Sequence, residues 1–480
     1  MKSKTVFAKT KILLVVIIVL GLLLRVYHIN VPFSGHQSLK EAQFASMAKM
    51  MIKEGGYFTA KTHWMGPNNN VFFPAWFIIA SWRIFGESEW AARVPFVILG
   101  LASIFLMYLI CTELKDKKTG LIAAFFAAIS PMMVYFSRNV QGESPLIFFS
   151  LLVVYFLILY KRKGDFLQLI LCAVSLTLAA MSKTNALYLV IFAFLYWLKY
   201  KKQMNINFFK VFTAIMIGVV PTIIYIIHTS SLPNKLYSFS QRMTNLSAIL
   251  DLKEMIFRAF YLVGGVNLIV FCLFLVFIYY LFKNSKFNSI EELDFVIISL
   301  IISYSIFYFS FLNIAHVGNN YYLVPFIPPI IFGAAKVTKE LLTKKMLIGL
   351  IISISLLVSV ISLFFIYNIR YPYYETGIKL SEIMNENSTL YRLGDPAVCY
   401  YANNFCLIKN DYDIKTADYE LLSVTSTNFN KLNEETKKYV KENFELLDTI
   451  KGPKNFFSGT YVKKNDVPVE YMFVRKTKKI

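Results

Sequence analysis

The chain has 480 residues, 56% of them hydrophobic and 16% aromatic, with a formal charge of +21. So apolar a composition excludes an ordinary soluble domain and indicates a polytopic α-helical membrane protein. The basic excess falls in short clusters between apolar runs, where it sets orientation, and no nucleic-acid motif accompanies it, which excludes a nucleic-acid partner.

In chain order, Lys2, Lys4, Lys9 and Lys11 precede an apolar run from about 12 to 28. No cleavage-like stretch follows, so the run reads as a retained first span with a cytoplasmic start. Next comes "GHQSLKEAQFASMAKMM" at 35–51, which holds His36, Lys40 and Glu41. Ser38 followed by Glu41 fits a capping box and Gly55-Gly56 a stop, predicting a helix from about 39 to 54. Phe44, Met47, Ala48, Met51 and Ile52 share one face of it, as in a helix lying along a membrane surface. Glu41 points from the same face, and a carboxylate there needs a partner. Two readings of Glu41 fit its spacing: closing the capping box on the Ser38 N–H, or acting as a general base with its pKa raised by partial burial.

Further on, the clusters Lys115/Lys117/Lys118, Lys161/Arg162/Lys163, Lys199/Lys201/Lys202, Lys283/Lys286 and Lys336/Lys339/Lys344/Lys345 recur at every second connection. They predict about eleven spans, with residues 31–90, 137–144, 182–185, 229–260 and 313–320 on the external face. Within those connections "SRNVQGESP" supplies Arg138 and Glu143, "MSKTN" supplies Lys183, and "NIAHVGNNYYLVPFIPP" supplies His316, Tyr321 and Tyr322. Taken singly, each reads as a snorkelling anchor or an aromatic-belt residue. Together, on one side, they make a set in which Arg138 and Lys183 bind an anionic head group while a carboxylate handles a proton.

The tail from about 371 to 480 mixes a helical "GIKLSEIMNENS" with a strand-like "TLYRLGDPAVCYYANN". It predicts a small extracytoplasmic α/β domain, giving a membrane domain at 1–370, with a first external loop at 31–90, and a tail domain at 371–480. Among the cysteines, Cys111, Cys172 and Cys272 read as packing residues, and only Cys399 and Cys406 are placed to pair. His36, His63 and His316 are far apart and no HExxH, Cys-x-x-Cys or compact carboxylate cluster occurs, so no metal is expected. A glycine-rich phosphate loop is also missing, which argues against a nucleotide sugar, and no cofactor is expected.

The order of the pieces resembles bacterial glycosyltransferases of the protein O-mannosyltransferase and lipid A aminoarabinose transferase type, within the GT-C superfamily. "LRVYHINVP", "KEAQFASMAKMMIKEGGYF", "VFFPAWFIIASWRIFGESEWAARVPFVILGL", "PMMVYFSRNVQGESPLIFFSLLVVYF", "LTLAAMSKTNALYLV" and "HVGNNYYLVPFIPPI" follow in that family's order over roughly residues 12–340. The resemblance implies a GT-C fold and a sugar donor carried on polyprenyl phosphate. An acceptor hydroxyl then attacks the anomeric carbon with inversion while an acidic residue serves as base. Carried over, Glu41 matches the second acid of an Asp-Glu-Ala element, and Lys40 stands where the first, usually catalytic, acid would be. Glu143 matches the second-loop acid with Arg138 beside it, Lys183 the lysine of a Thr-Lys or Ser-Lys element, and His316 with Tyr321 and Tyr322 a late His and Tyr-Tyr element. These are implied contacts to donor phosphate and sugar. With the usual Asp missing, Glu41 is expected as base with Glu143 supporting it, and His36 is a further candidate.

The Lys40 departure leaves open a member with altered or lost transfer. Charged helix ends also fit a lipid or solute transporter or flippase, although here the charges gather on one side instead of at the midplane. The expected partners are a polyprenyl-phosphate sugar, membrane lipids, and a glycan, lipid or protein acceptor. The expected location is the plasma (inner) membrane.

Overall fold

The computed structural model describes all residues except 1, 36–37, 58–60, 63–71, 205–206, 230–251, 285–289, 312–319, 342–344, 369–370, 385–388, 394, 396, 403–405, 409–413, 416–419, 453–468 and 477–480. His36, His63 and His316 therefore lie outside the described residues. The helices in chain order begin with α1 (Lys2–Val26), α2 (Ser38–Glu54), α3 (Phe73–Phe85), α4 (Glu89–Leu114), α5 (Lys117–Ile129) and α6 (Pro131–Phe136). They continue with α7 (Glu143–Lys163), α8 (Phe166–Ser182), α9 (Tyr188–Tyr200) and α10 (Phe208–Thr229). Two compact units result: Met1–Tyr27 with Val94–Leu363, and His28–Arg93 with Phe364–Ile480.

The first unit is helical and apolar. Helices Glu89–Leu114, Glu143–Lys163, Glu292–Phe309, Tyr321–Glu340 and Gly349–Tyr367 are long and apolar enough to cross a bilayer. Among the described residues the pair Arg258–Val266 and Leu268–Lys283, bent by 106°, makes a sixth if it counts as one span. About eleven spans of roughly 17–22 residues are expected; among the described residues the other apolar segments include the shorter α3 and α8 and α1, which carries Lys9, Lys11 and Arg25.

The bend is built on Asn267, at φ 109. Its side-chain oxygen accepts the Ile269 N–H at 3.0 Å, and its amide donates to the Ser355 carbonyl and the Ser359 hydroxyl, both at 2.8 Å. Backbone groups freed at the break thus find partners, as an apolar surrounding requires. Elsewhere, aspartates start helices: Asp116 accepts the Thr119 N–H at the head of α5, and Asp165 accepts the Leu167 N–H at the head of α8.

Among its described residues the second unit carries a five-stranded mixed sheet in the order β2-β1-β3-β5-β4, formed by β1 (Leu390–Leu393), β2 (Cys406–Ile408), β3 (Leu421–Thr425), β4 (Phe444–Lys451) and β5 (Val469–Arg475). β1 is parallel to β2 and β3, whereas β5 is antiparallel to β3 and β4. Tyr391, Leu393, Leu422, Val424 and Phe473 from the sheet bury against Val440 of the helix Glu434–Asn443. Beneath it Arg392 grips Glu470 through two hydrogen bonds, at 2.5 and 2.9 Å.

Among the described residues of the predicted strand around 389–404, Leu390–Leu393 is the extended part; Asp395 then accepts the Ala397 N–H at 2.9 Å and starts the helix Ala397–Ala402. The helix expected over about 39–54 is present as α2, and it joins the tail segment in this unit. The Ser38 hydroxyl donates to Asp395 at 2.7 Å, the Phe33 N–H to the Tyr401 hydroxyl at 2.5 Å, and the Tyr371 N–H to the Ser34 carbonyl at 2.8 Å. Cys399 is disulfide-bonded, whereas Cys111, Cys172 and Cys272 are free.

Candidate active site

In the first unit, the connection between α6 and α7 carries Ser137, Arg138, Asn139, Val140, Gln141 and Gly142, all buried. Connections usually run over a surface, so burial of every residue in this one needs a cause. One cause is Arg25, a fully buried cation within α1. Its Nε donates to the Ser137 hydroxyl at 2.6 Å, and its Nη1 to the Gly21 and Ala128 carbonyls at 2.9 and 3.1 Å. Room for this comes from Gly100, where a Cβ would collide with the Ser137 side chain. A second tie runs back the other way, from Arg138 Nη1 to the Tyr27 carbonyl at 2.6 Å. Ser144 adds a third, donating to the Phe96 carbonyl of α4 at 2.8 Å.

Gly142 sets the other side of the loop. A Cβ there would sit 2.5 Å from the Ser182 carbonyl oxygen, so only glycine allows the head of α7 to abut the end of α8. That approach brings Lys183, the extended residue capping α8, onto the first residue of α7: its Nζ hydrogen-bonds Glu143 Oε1. The same ammonium lies 3.8 Å from the ring centroid of Tyr321 and 4.7 Å from that of Tyr322. Both rings belong to the 3-10 segment Asn320–Phe326, held by the buried Tyr304, whose hydroxyl donates to the Tyr322 carbonyl. Ammonium over an aromatic face is worth about 0.5–1 kcal/mol when exposed and about 2 kcal/mol when desolvated.

The arrangement has a chemical bias. Arg25, Arg138 and Lys183 all contact or belong to residues 137–143, whose one carboxylate is Glu143. Such an excess of buried positive charge favours an anion. Glu143 Oε1 takes the Lys183 ammonium, and Oε2 makes no hydrogen bond among the described residues.

Of the residues expected from the sequence, Lys183 contacts Glu143, Tyr321 and Tyr322, and Arg138 sits in the loop that leads to Glu143. Glu41 and Lys40 belong to the second unit. There Glu41 is 4% exposed and receives Arg93 with both oxygens, from Nε at 2.9 Å and from Nη2 at 3.1 Å. Arg93 also donates to the Ile29 and Val31 carbonyls and lies 4.9 Å from the Phe33 ring centroid. Of the two readings of Glu41, the capping box is not formed: the carboxylate goes to Arg93, while the Ser38 N–H donates to the Gly35 carbonyl at 3.1 Å. Lys40 donates to Gln43 on its own helix at 3.2 Å. His36 and His316 lie outside the described residues.

Sequence reasoning missed Arg25, Arg93 and Tyr304. For Arg25 a signal existed, since an arginine inside an apolar run is costly unless polar groups are built around it. Arg93 and Tyr304 gave none, because their partners are remote in sequence.

Residues 69–228 match the family described as dolichyl-phosphate-mannose-protein mannosyltransferase. YkcB of Bacillus subtilis (strain 168), named only provisionally as a mannosyltransferase, is 30% identical over 112 residues, 23% of this chain. The match spans 16% of that protein's length. Among solved structures, ArnT from Cupriavidus metallidurans bound to undecaprenyl phosphate superposes with a TM-score of 0.62 at 13% identity, covering 97% of both chains. The Archaeoglobus fulgidus oligosaccharyltransferase in complex with zinc and sulfate gives a TM-score of 0.61 at 12% identity, over 94% of this chain and 73% of that one. The fold is thus the GT-C fold that the resemblance implied, in an integral membrane protein.

Proposed function

We propose that this GT-C chain is a glycosyltransferase that moves a sugar from a polyprenyl-phosphate carrier to an acceptor hydroxyl, with inversion, at the outer face of the membrane. The observation carrying the reading is the Lys183–Glu143 pair against the Tyr321 and Tyr322 rings, on a buried loop that also holds Arg138. The family match and the GT-C fold support it, and among neighbours of that fold ArnT was solved with undecaprenyl phosphate.

In the proposed step the acceptor oxygen bonds to the anomeric carbon as the anomeric carbon–phosphate oxygen bond breaks. The electron pair leaves with the lipid phosphate, whose charge Lys183 and Arg138 meet. The acceptor's proton goes to a carboxylate, and Glu143 Oε2 is the better placed oxygen, since both oxygens of Glu41 are taken by Arg93. Glu41 is accordingly assigned to positioning α2. His316, with Tyr321 and Tyr322, is assigned to the donor head group, and His36 and Lys40 to support, on the resemblance alone. Charge compensation is assigned to side chains with no metal or cofactor, so turnover is expected to survive a chelator.

Release of polyprenyl phosphate from polyprenyl-phosphate sugars by the purified protein in lipid nanodiscs tests the reading. Turnover by the native chain, lost in Lys183→Met, is expected. Neither binding nor turnover of any such donor would overturn it.

A further inference from the structure

Two polar side chains of the same loop have no part in the step above. Asn139 and Gln141 lie between Arg138 and Glu143, separated by Val140, and are 5% and 2% exposed. The side-chain NH2 group of each is buried and makes no hydrogen bond among the described residues. Folded proteins seldom leave such donors unpaired, and each instance calls for an explanation. Here two occur one residue apart, in a connection whose other members are tied down: Ser137 by Arg25, Arg138 to the Tyr27 carbonyl, and Glu143 by Lys183. The backbone between them is itself satisfied, with the Gln141 N–H donating to the Asn139 carbonyl at 2.9 Å.

Unfilled donors on a rigid, buried loop are suited to an incoming acceptor. Being neutral, they add nothing to the charge that Arg138 and Lys183 already offer a phosphate. A carboxamide NH2 instead matches uncharged oxygens, and a sugar hydroxyl accepts from such a donor. We propose that Asn139 and Gln141 bind hydroxyl oxygens of the sugar on the lipid donor and set which sugar is accepted. The assignment rests on the glycosyltransferase reading, with Lys183 and Arg138 on the phosphate.

The test uses Asn139→Leu and Gln141→Met, which keep side-chain volume and remove the donors. Because no hydrogen bond is lost in the free protein, its thermal unfolding should be unchanged or raised. Binding is read as ligand-induced stabilisation of the full chain in detergent. The probes are a short-chain polyprenyl phosphate and its mannosyl, glucosyl, galactosyl and N-acetylglucosaminyl esters. For the ester that native protein binds best, each variant should weaken binding roughly tenfold, as the loss of one hydrogen bond to a buried acceptor does. Binding of the bare lipid phosphate should not change. Equal weakening for ester and bare lipid would move both donors to the phosphate and overturn the proposal, as would unchanged binding of both. Native protein that binds no probe overturns the glycosyltransferase reading and this assignment with it, whereas unchanged variants of a binding-competent protein sink this assignment alone.

Discussion

Glu143 and Lys183 are separated by 40 positions in the chain and meet because Gly142 has no side chain. Each was legible singly, as a charge at the end of an apolar run; their pairing was not, because it depends on how closely two helix ends approach. Glu143→Gln keeps the shape and removes the proton acceptor. Turnover should fall by about 10²–10⁴-fold, the usual worth of a general base, with donor binding retained in a direct binding assay. Glu41 behaves differently. It was legible as a carboxylate needing a partner, but Arg93, 52 positions away, could not be read from spacing. Glu41→Gln leaves a buried guanidinium poorly matched, so the variant should lose about 3–5 kcal/mol of stability, seen as a lower unfolding temperature. If Glu41→Gln instead unfolds like native protein and abolishes turnover, Glu41 and not Glu143 is the base.

Helices were legible where apolar periodicity marked them, as in α2, and less so where a backbone special intervened. Asn267 divides an apolar run that hydropathy alone reads as continuous. What turns the chain by 106° is one residue at positive φ with bonds to Ser355 and Ser359, a tertiary circumstance. The join of α7 to α8 was equally hidden. Gly142→Ala places a methyl group against the Ser182 carbonyl, so the helix ends must part. A stability loss of about 1–3 kcal/mol is expected, as for other overpacked contacts. Turnover should fall further than stability alone explains, because Lys183 shifts relative to Glu143; parallel turnover and unfolding measurements check this.

For the whole molecule, two aspartates, Asp395 and Asp116, respond to pH with opposite sign. Burial pushes Asp395 up, against the Ala397 N–H, the Ser38 hydroxyl and Arg392, which pull it down. Its folded form holds a proton more readily than the unfolded chain, so stability falls as pH rises from the ordinary Asp range near 3.9 through the raised value. Asp116 is the reverse: burial raises it, but the Thr119 N–H and Lys339 lower it further, so its contribution is present above the ordinary range and lost on acidification. Asp395→Asn should flatten the decline of unfolding temperature with rising pH, and Asp116→Asn should reduce the loss at low pH. Truncation after residue 370 removes Tyr371, Asp395 and Tyr401, the partners of Ser34, Ser38 and the Phe33 N–H. Limited proteolysis should then cut within 28–57, which the full chain protects. The mixture of helix and strand in the tail was legible, but its union with the first loop was not, since nothing local in either segment announces the other.

That union constrains biogenesis. The second unit's two parts are separated by about 270 residues of membrane-embedded chain, so on the ribosome the first part emerges long before its complement exists. Until the last helix inserts, the early segment remains an orphan with unmet donors and exposed apolar side chains, a target for holdases and proteases. A lesion that stalls insertion anywhere in the intervening stretch should therefore be felt first as turnover of a domain it never touches.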